Sequence, residues 1–395
     1  MPDAREVVVV SAVRTAIGTY AGSLAGTPPT TLAAACVKAA VERGGVEPAQ
    51  VQHAVFGNVI HTEPRDMYLS RVAAVNGGLP VETPALTVNR LCGSGLQAIV
   101  SAAQLIELGH ADCTVAGGAE CMSRGQYWIP GLRAGQRMGN AEVIDAMVGA
   151  LTDPFDDCHM GITAENVADK WGISREEQDA LAAESHRRAA AAIAAGYFKD
   201  QIVPVEIKKK RETALFDTDE HVREGTTAES LGKLRAVFKK DGSVTAGNAS
   251  GINDAAAALL LMSADTAESS GAKPLARLVG YGFAGVEPKY MGIGPVPATR
   301  KLLDRVGLKV DDIDVFEVNE AFAAQALAVA KDLGLPPEKT NPNGSGISLG
   351  HPIGATGSII TVKAVHELLR TGGRYALVTM CIGGGQGIAA VFERV

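Results

Sequence analysis

The sequence has little of what a membrane protein, a secreted protein or a nucleic-acid-binding protein needs. Its longest apolar run, residues 255–262, is far too short to cross a bilayer. Residues 1–6 contain no basic segment leading into an apolar stretch, as a secretion signal would. The 37 lysines and arginines are outnumbered by 44 aspartates and glutamates, and the net charge of −7 disfavours binding to a phosphate backbone. We therefore expect a cytoplasmic protein with neither a membrane nor a nucleic acid as partner.

Metal-binding and disulfide patterns are also missing. The six cysteines form no C-x-x-C pair and no compact framework, so we expect neither a zinc site nor a secreted disulfide scaffold. Aromatic residues make up only 5% of the chain, whereas 45 glycines and a hydrophobic share of 46% are typical of an α/β enzyme with closely packed helices. A chain of 395 residues is long enough for two or three units with cores of their own.

Apolar segments of strand length alternate with helical patterns in the first 120 residues. The predicted strands are residues 7–10, 53–59, 84–88 and 113–118. The predicted helices are residues 31–42, 68–75 and 96–108. This alternation predicts a largely parallel sheet that is covered on both faces.

The character of the sequence changes between residues 121 and 245. This stretch is polar, charged and irregular, with helices predicted at residues 164–170 and 176–195. It contains the basic run 208–211, which we expect to be a solvated surface. We interpret the stretch as an insertion that covers the sheet.

A second α/β block begins near residue 275, after residues 244–262 return to glycine turns and a buried apolar run. Its predicted strands are residues 275–279, 314–319 and 375–381. Its predicted helices are residues 320–333 and 357–369. The block therefore has the same alternating pattern as the first.

The two blocks share the spacing of their polar residues. The interval from the strand that ends at Asn58 to Cys92 nearly equals the interval from the strand that ends at Asn319 to His351. An internal duplication explains this spacing. It predicts that Cys92 and His351 occupy corresponding positions and face one shared cleft.

Cys92 lies where an extended segment gives way to a helix. The stretch N-R-L-C-G-S-G-L, residues 89–96, joins the predicted strand 84–88 to the helix 96–108. Free N–H groups at a helix N-terminus favour an anion, so we expect this thiol to lose its proton more readily than a free one. The position suits a nucleophile, and an ordinary buried cysteine explains this segment alone equally well.

Two glycine-rich stretches of the second block carry further candidate groups. His351 lies within N-P-N-G-S-G-I-S-L-G-H-P-I-G-A-T-G and precedes a helix, as Cys92 does. Cys381 opens C-I-G-G-G-Q-G after a strand, where free backbone N–H groups can hold a developing oxyanion. A single histidine is more often structural than catalytic, but one that faces a cysteine is a candidate base.

These stretches resemble the signature segments of the thiolases. N-R-L-C-G-S-G, G-N-A-S-G-I-N-D, V-N-E-A-F-A, the histidine stretch and C-I-G-G-G-Q-G follow one another in the order that the family shows. The resemblance covers essentially the whole chain, and is greatest to bacterial acetyl-CoA acetyltransferases and broad-range β-ketothiolases. It implies a fold of two duplicated α/β halves in five layers, α-β-α-β-α, with an inserted loop domain.

The resemblance also implies a domain division and an assembly. The N-terminal half would be residues 1–120, completed by residues 246–271. Residues 121–245 would form the loop domain for coenzyme A binding and oligomerisation, and residues 272–395 the C-terminal half. Because family members are usually tetramers built as pairs of dimers, we expect a homotetramer.

Five residues receive catalytic roles from the resemblance. Cys92 matches the nucleophile that takes the acyl group as a thioester, and His351 matches the base that activates it. Cys381 matches the second acid/base, which acts at the α-carbon of the second acyl-CoA. Asn319 matches the residue that holds a water, which with His351 forms one oxyanion site. The backbone amides of Cys92 and Gly383 match the other oxyanion site.

Coenzyme A is implied as a substrate and product rather than a tightly bound cofactor, and no metal is implied. The residues that match coenzyme A contacts of the family are Leu151, His159, Met160, Arg223, Leu234, Phe238, Ala246, Ser250 and Phe322. The implied reaction is the reversible condensation of two acetyl-CoA molecules to acetoacetyl-CoA and coenzyme A, with longer 3-ketoacyl-CoA thioesters as further candidates. The sequence determines neither the direction in the cell nor the acyl chain length.

Other interpretations are weaker. A decarboxylating ketoacyl synthase of the same superfamily carries a histidine where this chain has Cys381, and a non-catalytic acyl-CoA-binding or lipid-binding relative needs none of the catalytic side chains. The motif G-x-S-x-G at residues 346–350 lacks the strand and helix of a hydrolase elbow. The motif G-x-G-x-x-G at residues 280–285 opens no helix, as a dinucleotide site requires.

Overall fold

A computed structural model describes residues 5–209 and 212–395. The strands are β1 (Val7–Thr15), β2 (Gly18–Thr19), β3 (His53–Gly57), β4 (Ala85–Val88), β5 (Cys113–Cys121), β6 (Tyr127–Trp128), β7 (Ile144–Asp145), β8 (Thr152–Asp153), β9 (Cys158–His159), β10 (Ile202–Val203), β11 (Val205–Lys209), β12 (Glu212–Phe216), β13 (Asn253–Ser263), β14 (Ala276–Gly285), β15 (Val315–Val318), β16 (Tyr375–Ile382) and β17 (Gln386–Arg394). The helices are α1 (Pro29–Gly44), α2 (Leu69–Asn76), α3 (Ser94–Glu107), α4 (Ala146–Ala150), α5 (Met160–Trp171), α6 (Arg175–Ala194), α7 (Ala228–Gly232), α8 (Ala264–Ser270), α9 (Pro295–Val306), α10 (Ala323–Leu333), α11 (Gly346–Leu349) and α12 (Thr356–Thr371).

Two sets of strands repeat one topology. The first set has the order β4-β3-β5-β13-β1. The second has the order β15-β16-β17-β14, and Thr340 pairs with Phe316 of β15 as a single-residue fifth member. If the strands of each set are numbered in chain order, both sets have the same spatial order, 3-2-4-5-1. Antiparallel pairing of β1 with β14 at Val8 and Val9 joins the two halves. The predicted duplication is confirmed.

Helices cover and separate the strands in five layers. Helices α1 and α2 pack on the first set, α3 and α12 lie in the middle, and α9 and α10 pack on the second set. The middle layer depends on glycine, because a Cβ atom at Gly95 would lie 2.6 Å from the backbone nitrogen of Ser358. A Cβ atom at Gly357 would lie 2.8 Å from the Cβ atom of Leu96. These close contacts bring the N-termini of α3 and α12 together, and the five-layered fold is confirmed.

The chain between β5 and β13 forms the inserted part of the fold, and within it the short strand β10 returns to the sheet and pairs with β1. Helices α5 and α6 of this insertion pack on α10. The insertion is tied to β1 by Arg14 and Asp219, whose charged groups are fully buried and 2.7 Å apart. Of the predicted basic surface, Lys208 is exposed, whereas Lys210 and Arg211 lie outside the described residues.

Several elements differ from the sequence-based expectation. Strands β1 and β5 continue to Thr15 and Cys121, well past their predicted ends, because they pair with the long strand β13 over this length. Strand β3 ends at Gly57 rather than at residue 59. Helix α10 begins at Ala323 rather than at residue 320. Helix α9 and strand β17 have no counterpart among the predicted elements.

The motifs G-x-G-x-x-G and G-x-S-x-G lie in structures that suit neither a dinucleotide site nor a hydrolase elbow. Residues 280–285 lie within β14, an antiparallel strand, so they form no turn into a helix. Ser348 lies in the short helix α11, and its fully buried hydroxyl is hydrogen-bonded to Ser185 and to the carbonyl of Ser345. Neither motif can serve the function that its pattern suggests. Over residues 5–209 and 212–395, no helix has the length and apolarity needed to cross a bilayer.

Candidate active site

A cavity of about 650 Å³ lies where the two halves and the insertion meet. Cys92, His351, Cys381 and Gly383 line it. The nine residues matched to coenzyme A contacts also line it, namely Leu151, His159, Met160, Arg223, Leu234, Phe238, Ala246, Ser250 and Phe322. Asn319 is fully buried behind His351 and does not reach the cavity wall. The fold thus brings every predicted site residue to one place.

A strained turn presents Cys92 at the start of α3. Leu91 has a φ of 45°, a left-handed conformation that is costly for a bulky residue. The turn is held from both sides, since Asn89 accepts a hydrogen bond from the Leu91 amide at 2.9 Å and the Ser94 hydroxyl donates to the Leu91 carbonyl at 2.7 Å. Cys92 follows directly, two residues before the first residue of the helix. This confirms its predicted place at a helix N-terminus.

The predicted ease of deprotonation is wrong for the resting protein. Burial raises the pKa of Cys92 to about 11, although the backbone N–H groups of Gly383 and of Cys92 itself lower it. The buried carboxyl of Glu120 adds to the rise. Desolvation of a thiolate outweighs the local effect of the helix terminus here. Cys92 is therefore a neutral thiol at neutral pH, and a base would have to remove its proton before it could act as a nucleophile.

His351 is uncharged at neutral pH, as a base for this thiol would have to be. Its ring is buried, and burial lowers its pKa to about 4, so its imidazole is uncharged at neutral pH. The ring Nδ1 lies 2.7 Å from the hydroxyl of Thr356. The backbone amide of His351 donates to Oδ1 of Asn253 at 3.0 Å. Gly350 precedes the histidine with a φ of 109°, and any side chain there would collide with Asn253.

Asn319 follows strand β15 and lies beside the imidazole. Its side-chain nitrogen is 3.5 Å from each ring nitrogen of His351, and its backbone amide donates to the Thr379 carbonyl at 3.0 Å. The Oδ1 atom is buried without a protein partner. Gly346 leaves the space for this atom, because a Cβ atom there would lie 2.7 Å from it. The side-chain amide is thus held beside the imidazole with unused hydrogen-bonding capacity.

Cys381 lies at the end of β16, before a glycine hairpin. Burial raises its pKa above the usual range, and the neighbouring Cys92 raises it further. Gly384 and Gly385 have φ values of 80° and 82°, so this hairpin to β17 needs glycine. The hairpin directs the Gly383 N–H group to the Cys92 sulfur. Two thiols and a backbone donor therefore converge on one point.

Sequence reasoning missed a buried carboxylate beneath these loops. Glu120 accepts four hydrogen bonds, from the side chain of Asn58 and the backbone amides of Val59, Ile60 and Gly354, at 2.9–3.1 Å. Burial raises the pKa of its carboxyl to about 8, and the backbone donors lower it. Glu120 joins the loop after β3 to the loop after His351. No local pattern signalled this role, because the donors lie at residues 58–60 and at residue 354, far from Glu120 in the sequence.

Aromatic and basic side chains line another part of the cavity. The rings of His159 and Phe238 stack at 4.6 Å, and Phe238 meets Phe322 edge to face at 6.3 Å. His186 and His221, which sequence reasoning also missed, line the cavity near Arg223. Burial lowers the pKa of both histidines to about 4, and Arg223 adds to the effect. Arg223 is therefore the fixed positive charge among these three.

Two family models together match almost the whole chain. The model described as "Thiolase, N-terminal domain" matches residues 7–265, and "Thiolase, C-terminal domain" matches residues 272–394. Beta-ketothiolase BktB of Cupriavidus necator is 67% identical over 392 residues, 99% of this chain and 100% of that protein. An acetyl-CoA acetyltransferase of Chromobacterium violaceum is 53% identical over 98% of this chain and 100% of that protein.

Solved structures show the same fold. The crystal structure of the Bacillus anthracis acetyl-CoA acetyltransferase matches with a TM-score of 0.98 at 48% identity, over 100% of both chains. Human mitochondrial 3-ketoacyl-CoA thiolase in complex with CoA matches with a TM-score of 0.96 at 47% identity, over 99% of this chain and 98% of that one. The resemblance found in the sequence is confirmed, and the chain belongs to the thiolase family.

Proposed function

We propose that this thiolase transfers acyl groups between coenzyme A thioesters through an acyl-enzyme on Cys92, and that its basic reaction is the reversible condensation of two acetyl-CoA molecules to acetoacetyl-CoA and coenzyme A. The convergence of Cys92, His351, Cys381 and the Gly383 amide in one cavity supports this most directly. Names of close relatives, beta-ketothiolase and acetyl-CoA acetyltransferase, describe the same chemistry. Longer 3-ketoacyl-CoA thioesters are further candidate substrates.

The first half-reaction forms the acyl-enzyme. His351 takes the proton from the Cys92 thiol, and the sulfur attacks the thioester carbonyl of acetyl-CoA. The carbonyl oxygen becomes an oxyanion, which hydrogen-bond donors already in place stabilise. The carbon–sulfur bond to coenzyme A then breaks, and the proton held by His351 passes to the departing thiolate. The products are acetylated Cys92 and free coenzyme A.

The second half-reaction forms the carbon–carbon bond. The thiol of Cys381 first passes its proton to the neutral His351, and the resulting thiolate removes a proton from the α-carbon of a second acetyl-CoA. The carbanion formed attacks the acetyl carbonyl on Cys92. A raised thiol pKa makes the thiolate of Cys381 a stronger base, which suits removal of a weakly acidic proton. A water held by Asn319 and the Nε2–H group of protonated His351 form one oxyanion site, and the amides of Cys92 and Gly383 form the other. The carbon–sulfur bond to Cys92 then breaks, the Cys92 sulfur takes the proton held by His351, and acetoacetyl-CoA is released.

Coenzyme A enters as a substrate rather than as a resident cofactor. Its pantetheine arm occupies the channel past Phe322, Phe238 and Met160, an apolar passage that suits a thin flexible chain. Arg223, which also lines the cavity, supplies positive charge for the phosphate groups. The other proposed contacts are Leu151, His159, Leu234, Ala246 and Ser250. Residues 121–245 act as the binding domain between the halves, which comprise residues 1–120 with 246–271 and residues 272–395.

Two separate apolar surfaces support a homotetramer built from two dimers. Strand β4 is the last strand at one edge of the large sheet. Its residue Leu86 is exposed, as are Met67 and Tyr68 beside it. A free strand edge of this kind pairs well with the same strand of a second copy. Tyr127 and Trp128 in the insertion are also exposed and form the second surface. We expect Leu86→Lys to weaken the dimer, whereas Trp128→Ser should prevent two dimers from forming the tetramer and keep each dimer intact. Native mass spectrometry would distinguish these species.

Intact-protein mass after brief exposure to acetyl-CoA tests the proposed function. Wild type should gain one acetyl group, and Cys92→Ala should gain none. An adduct that persists on Cys92→Ala would contradict the assignment of the nucleophile. The absence of any adduct on fresh, reduced wild type would contradict the covalent mechanism and favour a non-catalytic acyl-CoA-binding protein.

A further inference from the structure

The hydrogen bonds of Thr356 determine which ring nitrogen of His351 carries the proton. Thr356 is the first residue of α12 and is buried. Its hydroxyl oxygen lies 2.7 Å from the His351 Nδ1 and 2.9 Å from the carbonyl oxygen of Pro352. Both distances are those of good hydrogen bonds. A threonine hydroxyl has a single hydrogen, so it can donate to only one of these two neighbours.

The geometry decides in favour of the carbonyl. The Pro352 oxygen has no hydrogen of its own, so without the hydroxyl proton two oxygen atoms would face each other at 2.9 Å with no hydrogen between them. The hydroxyl therefore donates to Pro352. Its lone pair then faces Nδ1 at 2.7 Å, and this contact is a hydrogen bond only if Nδ1 is the donor. The neutral ring thus has its hydrogen on Nδ1 and its free lone pair on Nε2.

We propose that Thr356 is a positioning residue of the acyl transfer, which holds His351 in the Nδ1–H tautomer so that Nε2 is free to take the proton of Cys92. The inference rests on the proposed role of His351 as the base. It assigns to the threonine of the G-A-T-G segment a part in the chemistry that neither the sequence patterns nor the cavity lining indicated. Thr356 acts through the imidazole and does not line the cavity.

A second contact fixes the rest of the histidine. Oδ1 of Asn253 accepts from the backbone amide of His351 at 3.0 Å, while its nitrogen donates to the Gly18 carbonyl at 3.0 Å. The main chain is therefore anchored independently of the ring. Thr356 sets the orientation of the ring, because a half-turn of the imidazole would place a carbon atom against the hydroxyl. Asn253 thus holds the main chain of His351, and Thr356 holds its ring.

Thr356→Val removes the hydroxyl and keeps the shape of the side chain. The Pro352 carbonyl still accepts from the amides of Ala355 and Thr356, at 2.8 and 2.9 Å, so no buried acceptor loses all its partners. Nδ1–H alone loses its acceptor, which removes the preference for this tautomer. Thr356→Ser retains the hydroxyl. Thr361→Val is a matched control, because Thr361 is buried in the same helix and its hydroxyl donates to the Gly357 carbonyl at 2.7 Å without touching the histidine.

Nitrogen-15 NMR of the intact enzyme tests the tautomer without any reaction. The His351 signals are assigned by their loss in His351→Asn, and the protonated nitrogen is recognised by its chemical shift. We expect a hydrogen on Nδ1 in wild type and in Thr356→Ser. Thr356→Val should show a mixture or the Nε2–H form. A hydrogen on Nε2 in wild type would overturn the proposal, whatever the enzyme catalyses.

The acetylation rate of Cys92 at saturating acetyl-CoA tests the consequence. We expect Thr356→Val to lower this rate by about tenfold or more without raising KM, since a misplaced proton impairs general base catalysis rather than binding. Thr356→Ser and Thr361→Val should retain most of the rate. An unchanged rate in Thr356→Val, or an equal loss in Thr361→Val, would overturn the positioning role. Acetylation of Cys92 at the normal rate in His351→Ala would instead refute the proposed base.

Discussion

Asn58 and Asn319 occupy equivalent positions in the two halves but have opposite surroundings. Each follows the second strand of its half, since Gly57 pairs with Gly118 and Val318 pairs with Thr379 in matching registers. The Asn58 side chain is bound to the Glu120 carboxylate at 3.0 Å. The Asn319 side chain has no such acid and lies beside His351.

Removal of these two amides should therefore have different effects. Asn319→Ala removes the side chain that holds the proposed water of the oxyanion site, and we expect kcat to fall on the order of 100-fold with little change in the thermal unfolding temperature. Steady-state kinetics of acetoacetyl-CoA cleavage would measure the loss. A variant that keeps wild-type kcat would contradict the proposed oxyanion site.

Asn58→Ala provides the matched control. It leaves the buried Glu120 with one donor fewer, and we expect a loss of about 1–3 kcal/mol in the free energy of unfolding. Activity per folded molecule should fall much less than in Asn319→Ala. If both variants lost activity equally, the division of roles between the two halves would be wrong.

The two cysteines of the cavity should separate the two half-reactions. Cys381→Ala retains Cys92 and His351, so acetyl-CoA should still acetylate the protein. Condensation should fall by roughly 10²- to 10⁴-fold, because the proposed base at the α-carbon is lost. Intact mass reports the first step and a condensation assay reports the second. Failure of Cys381→Ala to become acetylated would contradict the separation of roles.

The pKa shifts predict an unusual pH dependence of acetylation. An ordinary histidine base loses activity below pH ~6.5. His351 has its pKa lowered to about 4, so it stays unprotonated and active down to that region. Cys92 has its pKa raised to about 11, so ionisation of the free thiol adds nothing until strongly alkaline pH. We expect a nearly flat acetylation rate between pH 5 and pH 9 in rapid-quench experiments.

His351→Ala is the control for this profile. Without the base, the rate should depend on the thiolate fraction of Cys92 and should rise about tenfold for each pH unit below its pKa. A wild-type acetylation rate that falls tenfold between pH 7 and pH 5.5 would show that Cys92 and His351 are not a neutral thiol and a neutral imidazole in the resting enzyme.

The buried Arg14 and Asp219 pair predicts a stability effect far from the cavity. Arg14 also donates to Gln201 at 2.8 Å and to the Thr15 carbonyl at 3.1 Å. Arg14→Met leaves the Asp219 charge buried without its cation, and we expect a loss of about 3–5 kcal/mol. Thermal unfolding would measure it. The double variant Arg14→Met with Asp219→Asn should recover part of the loss, and a lower stability than in the single variant would refute this explanation.

Local sequence patterns predicted the elements around the active centre but not their full extent. The valine run at the start of β1 and the apolar run of β13 are strong local signals. Strand β17 was not predicted, because its register is set by antiparallel pairing with β14 and β16. Helix α9 was missed because prolines at residues 295 and 297 conceal a helix that begins on proline.

The electrostatics of the site could not be predicted from local sequence. The position of Cys92 before a helix suggested an easily ionised thiol, whereas burial by distant parts of the chain has the larger effect. The duplication did predict that Cys92 and His351 share a cleft, because equivalent positions of related halves meet. The partners of Glu120 and Thr356 depend on tertiary packing, and a single sequence contains no sign of them.

The duplicated topology makes the molecule equivalent to a heterodimer whose two subunits are tethered by a peptide. Cys92 comes from one half, whereas Asn319, His351 and Cys381 come from the other. The tether is short, since β13 leads through α8 directly to β14. Such a linkage makes the encounter of the two partners intramolecular and independent of protein concentration. Each half could diverge to a different task because the covalent connection guarantees that its counterpart is always present.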